Sequence, residues 1–205
     1  MKERPILFSG EMVRAILEGR KTQTRRVVKP TQSTPKVAPL RMEPWIIDGE
    51  WQEDDNGAPC WSGFHPDYPG EAKWFSCPYG QPGDRLWVRE TWAQHFGELR
   101  YRADEAPDGY YHGAKGWKSS IFMPRAISRI TLEITDVRVE RVQEISEPDA
   151  EAEGITPEFP ARAQDISGSD QRAFANLWDS INAKRGYGWD ANPWVWVVSF
   201  RRVQP

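Results

Sequence analysis

Trp194-Val195-Trp196-Val197-Val198-Ser199-Phe200 is apolar at every position but Ser199. Side chains alternate across a strand, so this strand hides both faces and belongs inside a sheet or barrel. The rest of the chain arranges itself around it. Phe174, Leu177, Trp178 and Ile181 have the i, i+3, i+4, i+7 spacing of a helix that lays one stripe on a sheet. Ile130, Leu132 and Ile134 alternate, and Val137 and Val139 alternate in the opposite phase. That flip predicts a bulge, bend or tight turn near Thr135-Asp136. Ser146 is placed to cap a short helix with Pro148 and Asp149 in its first turn and Gly154 closing it. Residues 155–168 read as a loop.

Nearer the N-terminus, Gln81-Pro82-Gly83-Asp84 is a turn that launches a strand, Arg85 to Trp92. In it Leu86 and Val88 share one face and Trp87 takes the other. Ser9 caps a helix carrying Met12, Val13, Ile16 and Leu17, and Gly19 supplies its left-handed end. Arg20 to Val28 then runs extended, with Thr22, Thr24 and Arg26 on one face. Residues 30–83 are rich in Pro and carry Trp45, Trp51, Trp61 and Trp74. They read as an insertion with hairpins at Asp48-Gly49 and Asn56-Gly57. Residues 94–125 are loop-rich, with a turn at Asp108-Gly109. Few of these strands are joined by crossover helices, which argues against a doubly wound sheet. The expected fold is α+β: one domain over 1–205, a small mixed or antiparallel β-barrel with peripheral helices and loop-rich insertions at about 31–80 and 94–125.

The chain has 205 residues, 11 Trp, 6 Tyr and 8 Phe, and a formal charge of −3. A disordered chain would be poor in aromatics. The absence of an 18-residue apolar run excludes a helical membrane span, and Met1 to Ile6 lacks the apolar core of a signal peptide. The compartment expected is the cytoplasm. Charge divides sharply: residues 1–41 hold ten Lys/Arg and three Glu, and residues 42–84 hold one Lys and nine Asp/Glu. A basic segment of this kind suits an anionic partner, or the acidic segment folds over it. Cys60 and Cys77 make no disulfide framework. With His65, and His95 or His112, they supply zinc-type ligands at no recognised zinc spacing, so no metal and no cofactor are expected.

The densest chemistry is Gly19-Arg20-Lys21-Thr22-Gln23-Thr24-Arg25-Arg26, hydroxyls and cations in one helix-to-strand turn. It suits an anion, a phosphate backbone or a polar base. The run Ile16 to Arg26 resembles the opening motif of the ASCH domain family, within the PUA-like superfamily of small β-barrels that bind RNA or modified bases. Gly83-Asp84-Arg85-Leu86-Trp87-Val88, the stretch Ile130 to Glu153 with Ala150 to Ile155, and Trp194 to Phe200 keep that family's order. The chain also resembles larger ASCH-like proteins of bacteriophages and prophages. About half the chain is covered.

The resemblance implies a PUA-like barrel that binds RNA, single-stranded nucleic acid or a modified nucleobase. Small bacterial members similar in this motif are amidohydrolases of N4-acetylcytidine, and their catalytic Lys, Thr and Glu fall on Lys21, Thr24 and Glu153, with Glu151 the next candidate for the acid. In that chemistry Thr24 attacks the amide carbonyl, Lys21 takes its proton and Glu153 passes a proton to the leaving amine. Lys21 can be a base only if burial or nearby cations lower its pKa. Arg20, Arg25 and Arg26 are the expected phosphate or base contacts, and Trp87 and Trp92 the expected stacking surfaces. A third possibility is a phage or host protein partner for the acidic, Trp-rich 42–84 stretch.

Overall fold

The computed structural model describes residues 1–29, 41–44, 46–47, 50–51, 60–65, 68–95, 97–105, 116–155 and 169–203. Of residues 41–75 it describes the backbone alone. The principal sheet has five strands: β1 (Glu3–Leu7), β2 (Gln23–Val27), β8 (Arg85–Arg89), β11 (Thr131–Arg141) and β12 (Trp194–Val203). Their order is β1-β8-β11-β12-β2. The β1–β8 pair is parallel and the others are antiparallel.

β12 lies between β11 and β2 and buries both faces, as its sequence demands. Trp196, Val198 and Phe200 enter one core with Ile6, Phe8, Val13, Ile16, Leu86, Val88, Leu132 and Ile134. Val195 and Val197 enter a second core with Val142, Ile145, Ala150, Phe174 and Trp178. Helix α1 (Gly10–Leu17) packs on the first. Helices α2 (Glu147–Ala152) and α3 (Ser169–Asn182) cover the second. The β11–β12 register shifts between Ile134 and Asp136, at the predicted phase flip. Ser9 caps α1 through Met12 N, and Ser146 with Asp149 forms a capping box on α2.

Three features differ from the sequence reading. The sheet is mixed, within the expected class, but open among the described residues and not a closed barrel: β1 and β2 each pair with one neighbour and form its edges. The free edge of β2 is occupied instead by the end of α2, where Thr22 N–H donates to the Ala152 carbonyl at 2.9 Å and Lys21 bridges Glu153. β1 is absent from the predicted elements; Pro5 interrupts its pattern, and an edge strand tolerates proline because one side needs no donor. Ile181 is 52% exposed and stands outside the core that Phe174 and Trp178 enter.

The first inserted region contains its own three-stranded sheet, β3-β6-β7 (Arg41–Pro44, Cys60–His65, Tyr68–Ser76). A hairpin of β4 (Ile46–Ile47) and β5 (Glu50–Trp51) flanks Asp48-Gly49. The second region carries the hairpin β9 (Trp92–His95) and β10 (Glu98–Tyr101). Asn56-Gly57, Asp108-Gly109 and the loop from 156 to 168 lie outside the described residues. No helix is long and apolar enough to cross a membrane among the described residues.

Candidate functional site

The turn after α1 and the end of α2 meet at the edge of β2. Ala15 O accepts from both Arg20 N–H and Lys21 N–H at 2.9 and 3.0 Å, which ends the helix and turns the chain into the strand. On the other side Gly154 sits at φ +82°, in the left-handed region that closes α2. A Cβ there would lie 2.9 Å from Ala15 Cβ and 3.0 Å from Lys21 Cβ. Two helix ends are thus packed without room for a methyl group, and Lys21 and Glu153 are brought face to face.

Lys21 Nζ donates to Glu153 Oε2 at 2.8 Å and to the Glu153 carbonyl at 2.7 Å. Both side chains are buried, 2% and 6% exposed. The second carboxylate oxygen of Glu153 lies 3.4 Å from Arg25 Nη1. Burial is the strongest influence on Lys21 and pushes its ammonium below the ordinary lysine range; the Glu153 charge and hydrogen bond pull it back up, and Arg26 and Arg25 push it down. The Phe8 ring lies under both cations, 5.7 Å from Lys21 Nζ and 5.2 Å from Arg26 Cζ.

Thr24, on β2, is 1% exposed, and its hydroxyl has no hydrogen-bond partner among the described residues. A buried hydroxyl left unpaired costs free energy, on the order of 1–3 kcal/mol, so its presence asks for a reason. The structure therefore joins Lys21 directly to Glu153 and places Thr24 three residues along the same segment, buried and unengaged. Glu151 is exposed.

The remaining sequence candidates occupy different settings. Arg25 has no exposed side-chain surface; its guanidinium is taken by Glu140 at 3.0 Å, Asp149 at 3.2 Å and Glu153. Arg138, on β11, completes that network with Glu140, with Asp149 at 3.0 Å and with Gln23 at 3.1 Å. Lys21, Arg25 and Arg138 are thus matched by Glu140, Asp149 and Glu153, and the network joins β2, β11 and α2. Asp149 is held down to about 2: burial pushes it up, but hydrogen bonds from Gln23 and Ser146 and the charges of Arg25 and Arg138 outweigh that push.

Arg26 donates to the Leu7 carbonyl at 2.9 Å and so laces β2 to β1. Arg20 is 40% exposed and pairs with Glu18. Trp87 and Trp92 are each 8% exposed, with Arg89 4.7 Å from the Trp87 ring centroid and Lys118 4.5 Å from that of Trp92. Neither lies in the Lys21 cluster.

Compared with known proteins, the chain matches no family model, no curated protein and no solved structure.

Sequence reasoning missed Glu140, Arg138, Asp149 and Gln23. Two signals were available. Arg138 and Glu140 are two apart on one strand and so share a face, and Asp149 stands at the capping position of α2. Cys77 is buried and free, with burial pushing its thiol up to about 11. The Cys60 and His65 side chains lie outside the described residues. No cluster of His, Cys, Asp or Glu able to hold a metal occurs among the described residues.

Proposed function

We propose that the chain is an ASCH-type, PUA-like domain that takes an N-acylated nucleobase beside the Lys21–Arg26 turn and hydrolyses its amide. The observation that carries this reading is the Thr24 hydroxyl, buried without a partner on the segment whose Lys21 is paired with Glu153. Lys21 first passes its own proton to Glu153 within the ion pair; the Thr24 oxygen then attacks the amide carbonyl as Lys21 accepts the hydroxyl proton. The tetrahedral intermediate collapses as Glu153 returns a proton to the leaving cytosine amine. Water then releases the acyl group from Thr24. The partners are nucleosides or RNA that carry such a base.

Incubation with N4-acetylcytidine, with cytidine followed by chromatography, tests it. Turnover by the wild type that is abolished in Thr24→Ala and Lys21→Ala is expected. No turnover, or turnover that survives Lys21→Ala, refutes it.

A second reading is favoured by one contact. Lys21 Nζ donates twice, and both hydrogen bonds end on Glu153, so the pair is closed on itself. A closed pair suits a domain that binds RNA, single-stranded nucleic acid or a modified base without turnover. Salt-dependent binding of RNA or nucleoside in the absence of any product formation distinguishes it.

A further inference from the structure

The side of β8 away from the Leu86 core carries a second concentration of cations and aromatics that the Lys21 site does not use, with Trp87 buried at its middle and Arg85 and Arg89 half-buried. Arg85, Trp87 and Arg89 alternate along the strand and so share one face, about 13 Å from end to end at roughly 3.3 Å per residue. Leu86 and Val88 point the other way, into the core. Glu3, Pro5 and Leu7 of β1 lie beside them in register, and Thr131 and Glu133 of β11 on the other side.

Charge on this face does not balance. Arg125 takes Glu3 at 3.0 Å, and Arg201 takes Glu133 at 2.7 Å. Those are the carboxylates flanking Arg85, and both are spent on other arginines. Arg85 and Arg89 make no ion pair among the described residues, and the Nε of each is buried without an acceptor there. Arg89 Nη1 donates to the Ile121 carbonyl and its guanidinium lies over Trp87. Four arginines thus face two glutamates.

Beside Arg89, Ile121 is 55% and Phe122 74% exposed. Burying apolar side chains is the rule for such residues, and a large ring left open next to unpaired arginines asks for a flat, anionic partner. The strip also continues to the site: Leu7 stands opposite Arg89, and its carbonyl accepts from Arg26.

We propose that the Arg85–Trp87–Arg89 face, with Phe122 at its end, is a track for single-stranded nucleic acid. The two unpaired arginines hold phosphates, and Phe122 stacks a base. The choice of a nucleic acid as the occupant rests on the nucleobase reading of the Lys21 site; the charge imbalance and the open ring are independent of it.

Fluorescence anisotropy with a labelled single-stranded RNA dodecamer, across a salt series, decides the matter. The double change Arg85→Gln/Arg89→Gln weakens binding at least tenfold and lowers the salt slope by about 1.4, at roughly 0.7 for each phosphate no longer neutralised. Phe122→Ala weakens it roughly 5- to 150-fold. Because Phe122 is open to solvent, that variant keeps its near-ultraviolet circular dichroism and separates a binding defect from a folding defect. Wild-type affinity in both variants overturns the track, as does absence of RNA binding at low salt. Equal competition by a polyglutamate peptide also overturns it, since an acidic protein would then be the better occupant. Nucleoside turnover and its loss in Lys21→Ala are read in a separate assay, so failure of the amidohydrolase reading is visible apart from failure of the track.

Discussion

Glu153→Gln isolates the buried pair at the centre of the site. The change keeps the shape of the side chain and removes its charge. Lys21 is then a buried ammonium that still donates to the residue 153 carbonyl but faces no carboxylate of its own. Removing one member of a buried ion pair costs about 3–5 kcal/mol, since the other charge stays desolvated. Lys21 limits the loss because it can give up its proton, so the low end, about 3 kcal/mol at pH 7, is expected. In a chain of 205 residues that is a fall in Tm of about 6–12 °C. The sign with pH follows from Lys21. Its folded pKa already lies below the ordinary value because of burial, so wild-type stability rises with pH between the two values. Without Glu153 the folded value drops further. Over the interval between the two folded values the variant gains stability with pH and the wild type does not, and the gap narrows toward alkaline pH. Urea unfolding at pH 6, 7.5 and 9 measures this. The double change Lys21→Met/Glu153→Gln regains most of the loss. A deficit below about 1 kcal/mol, or one that widens toward alkaline pH, refutes the pairing argument.

Three further outcomes rest on neighbouring contacts. Asp149→Asn costs about 1–2 kcal/mol at neutral pH, because the carboxylate is held down to about 2 while its unfolded value is ordinary, and water screens part of that gain; the deficit disappears as pH falls toward 2, and acid titration of both proteins by circular dichroism reads it. Gly154→Ala destabilises by more than Gly19→Ala, although both sit at positive φ: Gly19 has open space and loses about 1 kcal/mol, whereas Gly154 also drives a methyl into Ala15 and Lys21, so denaturant midpoints that match would contradict the packing. Glu90 is 1% exposed and gripped by Arg129 at 2.9 Å through each carboxylate oxygen; its conversion to Ala costs about 3–5 kcal/mol, checked by thermal melts.

How far the fold is legible in the sequence depends on which force sets each feature. Burial on both faces of β12, the bulge after Ile134 and both helix caps depend on periodicity or on one capping residue, and each stands where the sequence puts it. Sheet closure depends on which element reaches a free edge first. Here α2 takes the edge of β2, a contact between residues more than a hundred apart that no local pattern encodes. The site shows the same division. The sequence supplies Lys21, Thr24 and Glu153 as types in two distant segments, and the fold joins the first and last through the tight approach of Gly154 to Ala15. The charge division is legible as well, but its resolution is not. Lys21 and Arg25 are neutralised by Glu140, Asp149 and Glu153, from the C-terminal half, and Asp84 of the acidic segment is matched to Arg4. Sequence sums weigh all charges alike, whereas a buried arginine requires a carboxylate within hydrogen-bond reach. Arg25 satisfies that requirement three times over, so its charge is spent on holding β2 against α2. Arg85 and Arg89 stand outside both that network and the opening motif, and make no ion pair among the described residues, which is why the proposed track rests on them.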